Sequence, residues 1–165
     1  VGSEMCIRDS DSYSRARQAN AAYYLERLSA LEGVVPAAPA HCCCAKAQEE
    51  ALAEARIVLP ACYEHNEHIW NQFTLRVRGP GQRELLRAHL AEREIGSEVY
   101  YPLTMDQQEC FAELPASSRE GNGVAHQLAG EVLSIPIYPE LEREMQDWVV
   151  SAISEFLGIE TPVEE

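Results

Sequence analysis

Histidine, cysteine and lysine supply many of the metal ligands, nucleophiles and imine-forming amines available to a protein, and here they gather in few places. His41-Cys42-Cys43-Cys44 sets four potential ligands side by side. Zinc sites space paired ligands by two to four residues so that the chain can loop around the ion, which adjacent residues do poorly. The run therefore reads as an incidental loop, and no metal site is expected. His65 and His68 stand at a turn–strand junction, without the helical geometry that would aim both rings at one ion. The six cysteines, three of them consecutive, form no disulfide framework, and reduced thiols are expected. Lys46 is the only lysine. It lies in an Ala/Glu-rich stretch with no preceding strand–turn and no Gly-rich phosphate cradle, so it reads as a solvated surface lysine. Asp106, Glu109 and Glu113 read as a solvated helix face. His126, on a short helix, is assigned no role.

The elements that position these groups follow from periodicity. Ala21, Tyr24, Leu28 and Leu31 form one apolar face of a helix over 12–32, capped by Asp11 or Ser12 and ended by Gly33. Residues 34–44, with Pro36 and Pro39, read as a loop, and 45–55 as an exposed helix. Arg56–Leu59 suits a short strand. The clearest strand is 68–78, where Ile69, Phe73, Leu75 and Val77 alternate with Trp70, Gln72, Thr74 and Arg76. After the Gly79-Pro80-Gly81 turn, a helix over 82–94 turns Leu86, Leu90 and Ala91 inward. Glu98–Tyr101 reads as a strand cut by Pro102, 106–113 as a short helix, and 115–123 as a polar loop. Val124–Glu131 is a helix running straight into a strand, Val132–Ile135. The last helix, 140–157, has the widest apolar stripe: Leu141, Met145, Trp148, Val149, Ala152, Ile153 and Phe156. The expected fold class is α/β (α+β), a small three-stranded sheet with packed helices.

At 165 residues the chain suits one domain with a genuine core. Its first ten residues, VGSEMCIRDS, fit nothing that follows and resemble a translated sequencing-adapter remnant, which would place the true reading from near Asp11, mid-gene. The expected division is 1–11 artefactual or disordered, 12–157 the domain, and 158–165 an acidic tail. The formal charge of −14 repels phosphate backbones and disfavours nucleic acid, though an anionic small substrate could still sit in a local basic pocket. No apolar run is long enough to span a membrane and no secretory signal is visible, so a cytoplasmic protein is expected.

Three segments carry a more specific signal. His68-Ile69-Trp70-Asn71-Gln72-Phe73-Thr74-Leu75-Arg76-Val77 resembles the His-x-x-x-Gln-aromatic-x-x-Arg-Val strand of the DegT/DnrJ/StrS aminotransferases. Gly96-Ser97-Glu98-Val99-Tyr100-Tyr101-Pro102-Leu103, followed by Gln108-Glu109-Cys110-Phe111, resembles that family's Gly-x-x-x-x-His-Tyr-Pro segment and its short helix. Glu131-Val132-Leu133-Ser134-Ile135-Pro136-Ile137-Tyr138-Pro139-Glu140-Leu141 resembles its Glu-Val-Leu-Ser-Leu-Pro-x-x-Pro-x-Leu. All three occur in family order, and the resemblance spans about 12–157.

The resemblance implies the C-terminal small domain of a fold-type I enzyme dependent on pyridoxal phosphate (PLP). It implies a preceding large domain with the Schiff-base lysine, a homodimer, a nucleotide-linked keto-sugar as substrate, and glutamate or glutamine as amino donor, in amino-sugar or polysaccharide biosynthesis. On that basis this chain holds no catalytic residue, binds no PLP of its own and is inactive alone. The substrate-facing candidates are Tyr100, Tyr101, His68 and Gln72. Tyr100 stands where the family pattern has a histidine, and Asp106 where many members have a second. Each has a plainer reading: Tyr100 and Tyr101 as a strand end packed on the last helix, His68 and Gln72 as solvated or satisfying backbone groups. Two other functions stay open, a PLP-dependent sugar dehydratase of the same family and a stand-alone, non-catalytic α/β interaction module. A small domain severed from its partner would expose an apolar patch, fold marginally and associate.

Overall fold

The structure, a computed structural model, describes residues 2–37, 45–63, 65–113 and 121–159, with backbone alone at 2–9 and 45–49. The His41–Cys44 run, the Lys46 side chain, most of the 115–123 loop and the end of the acidic tail lie outside the described residues. The elements are α1 (Gly2–Ser29), β1 (Val34–Pro36), α2 (Ala45–Glu54), β2 (Ile57–Leu59), β3 (Phe73–Val77), α3 (Gln82–Glu92), two short 3-10 turns (Met105–Gln107 and Glu109–Phe111), α4 (Gly123–Glu131), β4 (Val132–Ile135) and α5 (Arg143–Leu157).

A mixed α/β architecture with a small sheet is what the sequence leads one to expect, but among the described residues the sheet has four strands in the order β1-β2-β3-β4, not three. The Val34–Pro36 segment, expected as loop, pairs in parallel with β2, Val34 opposite Ile57. An edge strand tolerates the missing N–H of Pro36. β2 with β3 and β3 with β4 are antiparallel. The expected Glu98–Tyr101 strand shrinks to one bridge, in which Glu98 and Ser134 exchange backbone hydrogen bonds of 3.0 and 2.9 Å. The chain bends at Tyr100, and Pro102 lacks the N–H that further pairing needs.

The long strand over 68–78 is likewise shorter than its alternation suggests. Trp70 adopts a left-handed backbone conformation, φ 51°. That turn reverses the side-chain alternation: Trp70 is 4% exposed and stacks on Phe73 at 5.4 Å, while Ile69 is 46% exposed. Arg17 donates to the Ile69 carbonyl and Gln18 to the His68 carbonyl, pinning the bend to α1.

The core lies on one face of the sheet. Ile57, Leu59, Phe73, Leu75, Val77, Leu133 and Ile135 meet Ala21, Tyr24 and Leu28 of α1, Leu86 and Leu90 of α3, and Val149, Ile153 and Leu157 of α5. α1 begins at Gly2 instead of near Ser12, and Gly33, at φ +78°, turns the chain into β1. Ala91 is exposed, not inward-facing. On α5, Met145 and Trp148 are 50% and 53% exposed, and the buried stripe takes in Gln146, Val150, Ser154 and Leu157 instead. Hydrogen bonds permit that rotation. Gln146 Nε2 donates to the Asn20 carbonyl at 2.9 Å, Arg143 donates to Gln146 Oε1, and Asn20 Nδ2 donates to the Tyr138 carbonyl at 2.9 Å. A satisfied amide can be buried, while the Trp148 indole stays at the surface with its N–H on the Arg93 carbonyl at 3.2 Å.

Candidate functional site

Where β3 begins and β4 ends, a cleft of about 410 Å³ opens between three segments. Asn71 and Gln72 come from the approach to β3, Gly96, Ser97, Glu98 and Tyr100 from the bridged segment, and Ser134 to Tyr138 from β4 and its exit. The backbone sets this arrangement. Phe73 faces the core, so Gln72 lies on the opposite, outer face together with Thr74. Thr74 Oγ1 and Ser134 Oγ lie 2.9 Å apart across the β3–β4 pair. The Glu98–Ser134 bridge then hangs the Tyr100 segment on the far edge of β4.

Two of the four substrate-facing candidates, Gln72 and Tyr100, therefore share this cleft, and the other two lie outside it. Tyr101 is 76% exposed. His68 is bound up in the Trp70 turn: its Nδ1 accepts from the Trp70 N–H at 2.9 Å and its ring lies 4.1 Å from the indole. Neither tyrosine is buried against α5. Asn71, Glu98 and Tyr138 complete the polar lining. The only sequence signal for them is position, since Tyr138 falls between the two prolines of the Pro136–Pro139 segment and Asn71 precedes Gln72.

Among the described residues the lining carries neutral donors and acceptors from Asn71, Gln72, Ser97, Tyr100 and Tyr138, one carboxylate from Glu98, and no cation. It suits a hydroxyl-bearing ligand better than a phosphate. None of the described side chains of α2 lines it.

Asp106 is not a merely solvated residue. Thr104 Oγ1 donates to its Oδ1 at 2.7 Å and His126 Nε2 to its Oδ2 at 2.7 Å, so His126 has a partner that its sequence context did not reveal. The Thr104 hydroxyl, with His126, holds the Asp106 carboxyl below its ordinary range. Among the described residues no group of three His, Cys, Asp or Glu side chains could hold a metal ion. No helix among them is long and apolar enough to cross a membrane.

Comparison with known proteins adds to this geometry. Residues 8–154 match the model of the DegT/DnrJ/EryC1/StrS aminotransferase family. The pleiotropic regulatory protein of Geobacillus stearothermophilus is 38% identical over 109 residues, 66% of this chain and 28% of that protein. The dTDP-3-amino-3,6-dideoxy-alpha-D-galactopyranose transaminase of Aneurinibacillus thermoaerophilus is 31% identical over 100 residues, 61% of this chain and 26% of that one. Among solved structures, S. venezuelae DesV in complex with a ketimine intermediate superposes with a TM-score of 0.70 at 28% identity, over 96% of this chain and 35% of DesV. The chain thus spans about a quarter to a third of the length of the relatives it matches.

Proposed function

The chain belongs to the DegT/DnrJ/EryC1/StrS aminotransferase family, and from that premise we propose that it is the small domain of a longer aminotransferase acting on nucleotide-linked keto-sugars. The observation that carries this reading is the cleft that joins Gln72 and Tyr100. Both come from family-like segments, and their neutral polar wall matches the hydroxyls of a sugar ring.

The residues described here do not fit PLP on their own. An imine-forming cofactor needs a lysine amine and a phosphate cradle beside its ring. Among the described residues the cleft has neither a lysine nor another cation in its lining. The cofactor would be held by the rest of the longer protein, and no step of the reaction is assigned to this chain. Its own part is to bind and orient. Gln72 and Tyr100 donate to sugar oxygens, Glu98 accepts from sugar hydroxyls, and the Ile135–Ile137 backbone excludes water from one side. The longer protein is a homodimer taking its amino group from glutamate or glutamine.

The test is turnover. The longer protein that includes this chain, incubated with PLP, glutamate and a dTDP-linked keto-sugar, yields the amino-sugar and 2-oxoglutarate, while the 165-residue chain alone yields neither. No product from the longer protein with any keto-sugar nucleotide, or turnover by the chain alone, overturns the reading.

A further inference from the structure

The segment that brings Tyr100 to the cleft is fastened at two points along one continuous element. α4 runs without a break into β4, Gly123–Glu131 into Val132–Ile135. The first fastening is the backbone bridge from Glu98 to Ser134 on β4. The second is the side-chain pair of Asp106 with His126 on α4, 2.7 Å from Oδ2 to Nε2. The chain from 98 to 106 thus runs antiparallel to the chain from 126 to 134, with Tyr100 between the two ties.

Burial does little to hold what lies between them. Past Val99, which packs against the core, Tyr100, Tyr101, Leu103 and Met105 are 51%, 76%, 48% and 70% exposed. Each ordered residue costs conformational entropy that exposed side chains do not offset. Local bonds close a turn without attaching it. The Gln107 N–H donates to the Thr104 carbonyl at 3.0 Å, and Gln107 Oε1 accepts from the Thr104 N–H at 3.2 Å. Asp106 carries the attachment. Its side chain is 10% exposed, and its Oδ1 accepts from Thr104 Oγ1 at 2.7 Å, which leaves Oδ2 for α4. A hydrogen bond to a carboxylate is stronger than one between neutral groups. The helix that carries His126 is itself anchored, because Arg83 donates to the Ala129 carbonyl and Arg76 pairs with Glu131 at 2.6 Å.

We propose that Asp106 and His126 are positioning residues, a latch that keeps the Tyr100 segment closed against the cleft. Neither lines the cleft, so both act through Tyr100. With the pair broken, the segment past Glu98 is tied at one end and samples positions in which Tyr100 leaves the lining it shares with Asn71, Gln72 and Tyr138. The latch stands on the geometry of this chain, and its effect on sugar binding rests on the reading of the cleft given above.

Amide hydrogen exchange in the 165-residue chain reads the latch directly. The Gln107 and Gln108 N–H groups close the turn beside Asp106. H126A is expected to speed their exchange about tenfold, the worth of a hydrogen bond to a charged group, with the amides of β3 and α5 unchanged. H126Q, whose side-chain amide can donate in place of Nε2, restores part of the protection. Unchanged exchange in H126A, or equal acceleration in β3 and α5, overturns the latch. In the longer protein, kinetics read the positioning. H126A raises KM for the keto-sugar nucleotide about fivefold, leaves KM for glutamate unchanged, and adds little to Y100F, because both changes act on one hydroxyl. No rise in KM for the sugar nucleotide, or a full further rise on top of Y100F, overturns the positioning role. No turnover by the unaltered longer protein would overturn the reading of the cleft instead, and exchange alone would then decide the latch.

Discussion

Phe73 and Gln72 are neighbours in sequence and belong to opposite sides of the molecule. Phe73, with Leu75 and Val77, points into a layer closed by α1, α3 and α5, its ring 5.3 Å from that of Tyr24 and 5.4 Å from that of Trp70. Gln72, with Thr74, Arg76 and Arg78, lies on the outer side, and Gln72 lines the cleft it shares with Tyr100. The inner face carries the cohesion of the domain and no chemistry. The outer face carries hydrogen-bonding and charged groups whose loss should cost the fold little. A period of two along one strand separates stability from recognition.

The sharpest way to break this contrast is to alter the two neighbours. Phe73→Ala is expected to cost about 3–5 kcal/mol, as aromatic deletions in packed cores do, and to shift the urea midpoint accordingly. Gln72→Ala should change stability by less than about 0.5 kcal/mol. Equal effects would mean that the two faces are not distinct. A smaller effect arises within the core. The Tyr24 hydroxyl is buried with no partner among the described residues, and burial pushes its pKa upward. Tyr24→Phe removes an unsatisfied group and should raise stability by about 1 kcal/mol. A loss would reveal a partner for that hydroxyl.

The smallest effect belongs to the outer side. The Thr104 hydroxyl and His126 hold the folded-state pKa of Asp106 below its unfolded value. A depressed carboxyl contributes stability that is fully present above the unfolded pKa, about 3.9, and is lost as pH falls through the folded value. Asp106→Asn should therefore flatten the acid limb of a stability–pH curve below about pH 4 and leave its slope near neutrality unchanged. A slope change confined to neutral pH would contradict that assignment.

How far the sequence could be read follows the same division. Alternation along β3 and the periods of α1 and α3 report burial directly, so Tyr24, Leu28, Phe73, Leu75, Leu86 and Leu90 are legible as core. What escaped depended on partners distant in sequence. The β1 strand exists because α2 returns the chain to pair Ile57 with Val34. Gln146 is buried because Asn20, 126 residues away, accepts its proton. Trp70 is inside because one left-handed residue reverses the alternation. The candidate site was half legible. Gln72 and Tyr100 meet, whereas His68 was drawn into the Trp70 turn by its own Nδ1, and Tyr101 follows Tyr100 out to solvent.

The central claim is that the Gln72–Tyr100 cleft reads the sugar. Its most direct test is steady-state kinetics of Gln72→Ala and Tyr100→Phe in the longer protein, varying keto-sugar nucleotide and glutamate separately. The account predicts a rise of about tenfold in KM for the sugar nucleotide, the worth of one hydrogen bond, with KM for glutamate unchanged. An unchanged KM for the sugar, or an equal rise for both substrates, would contradict it.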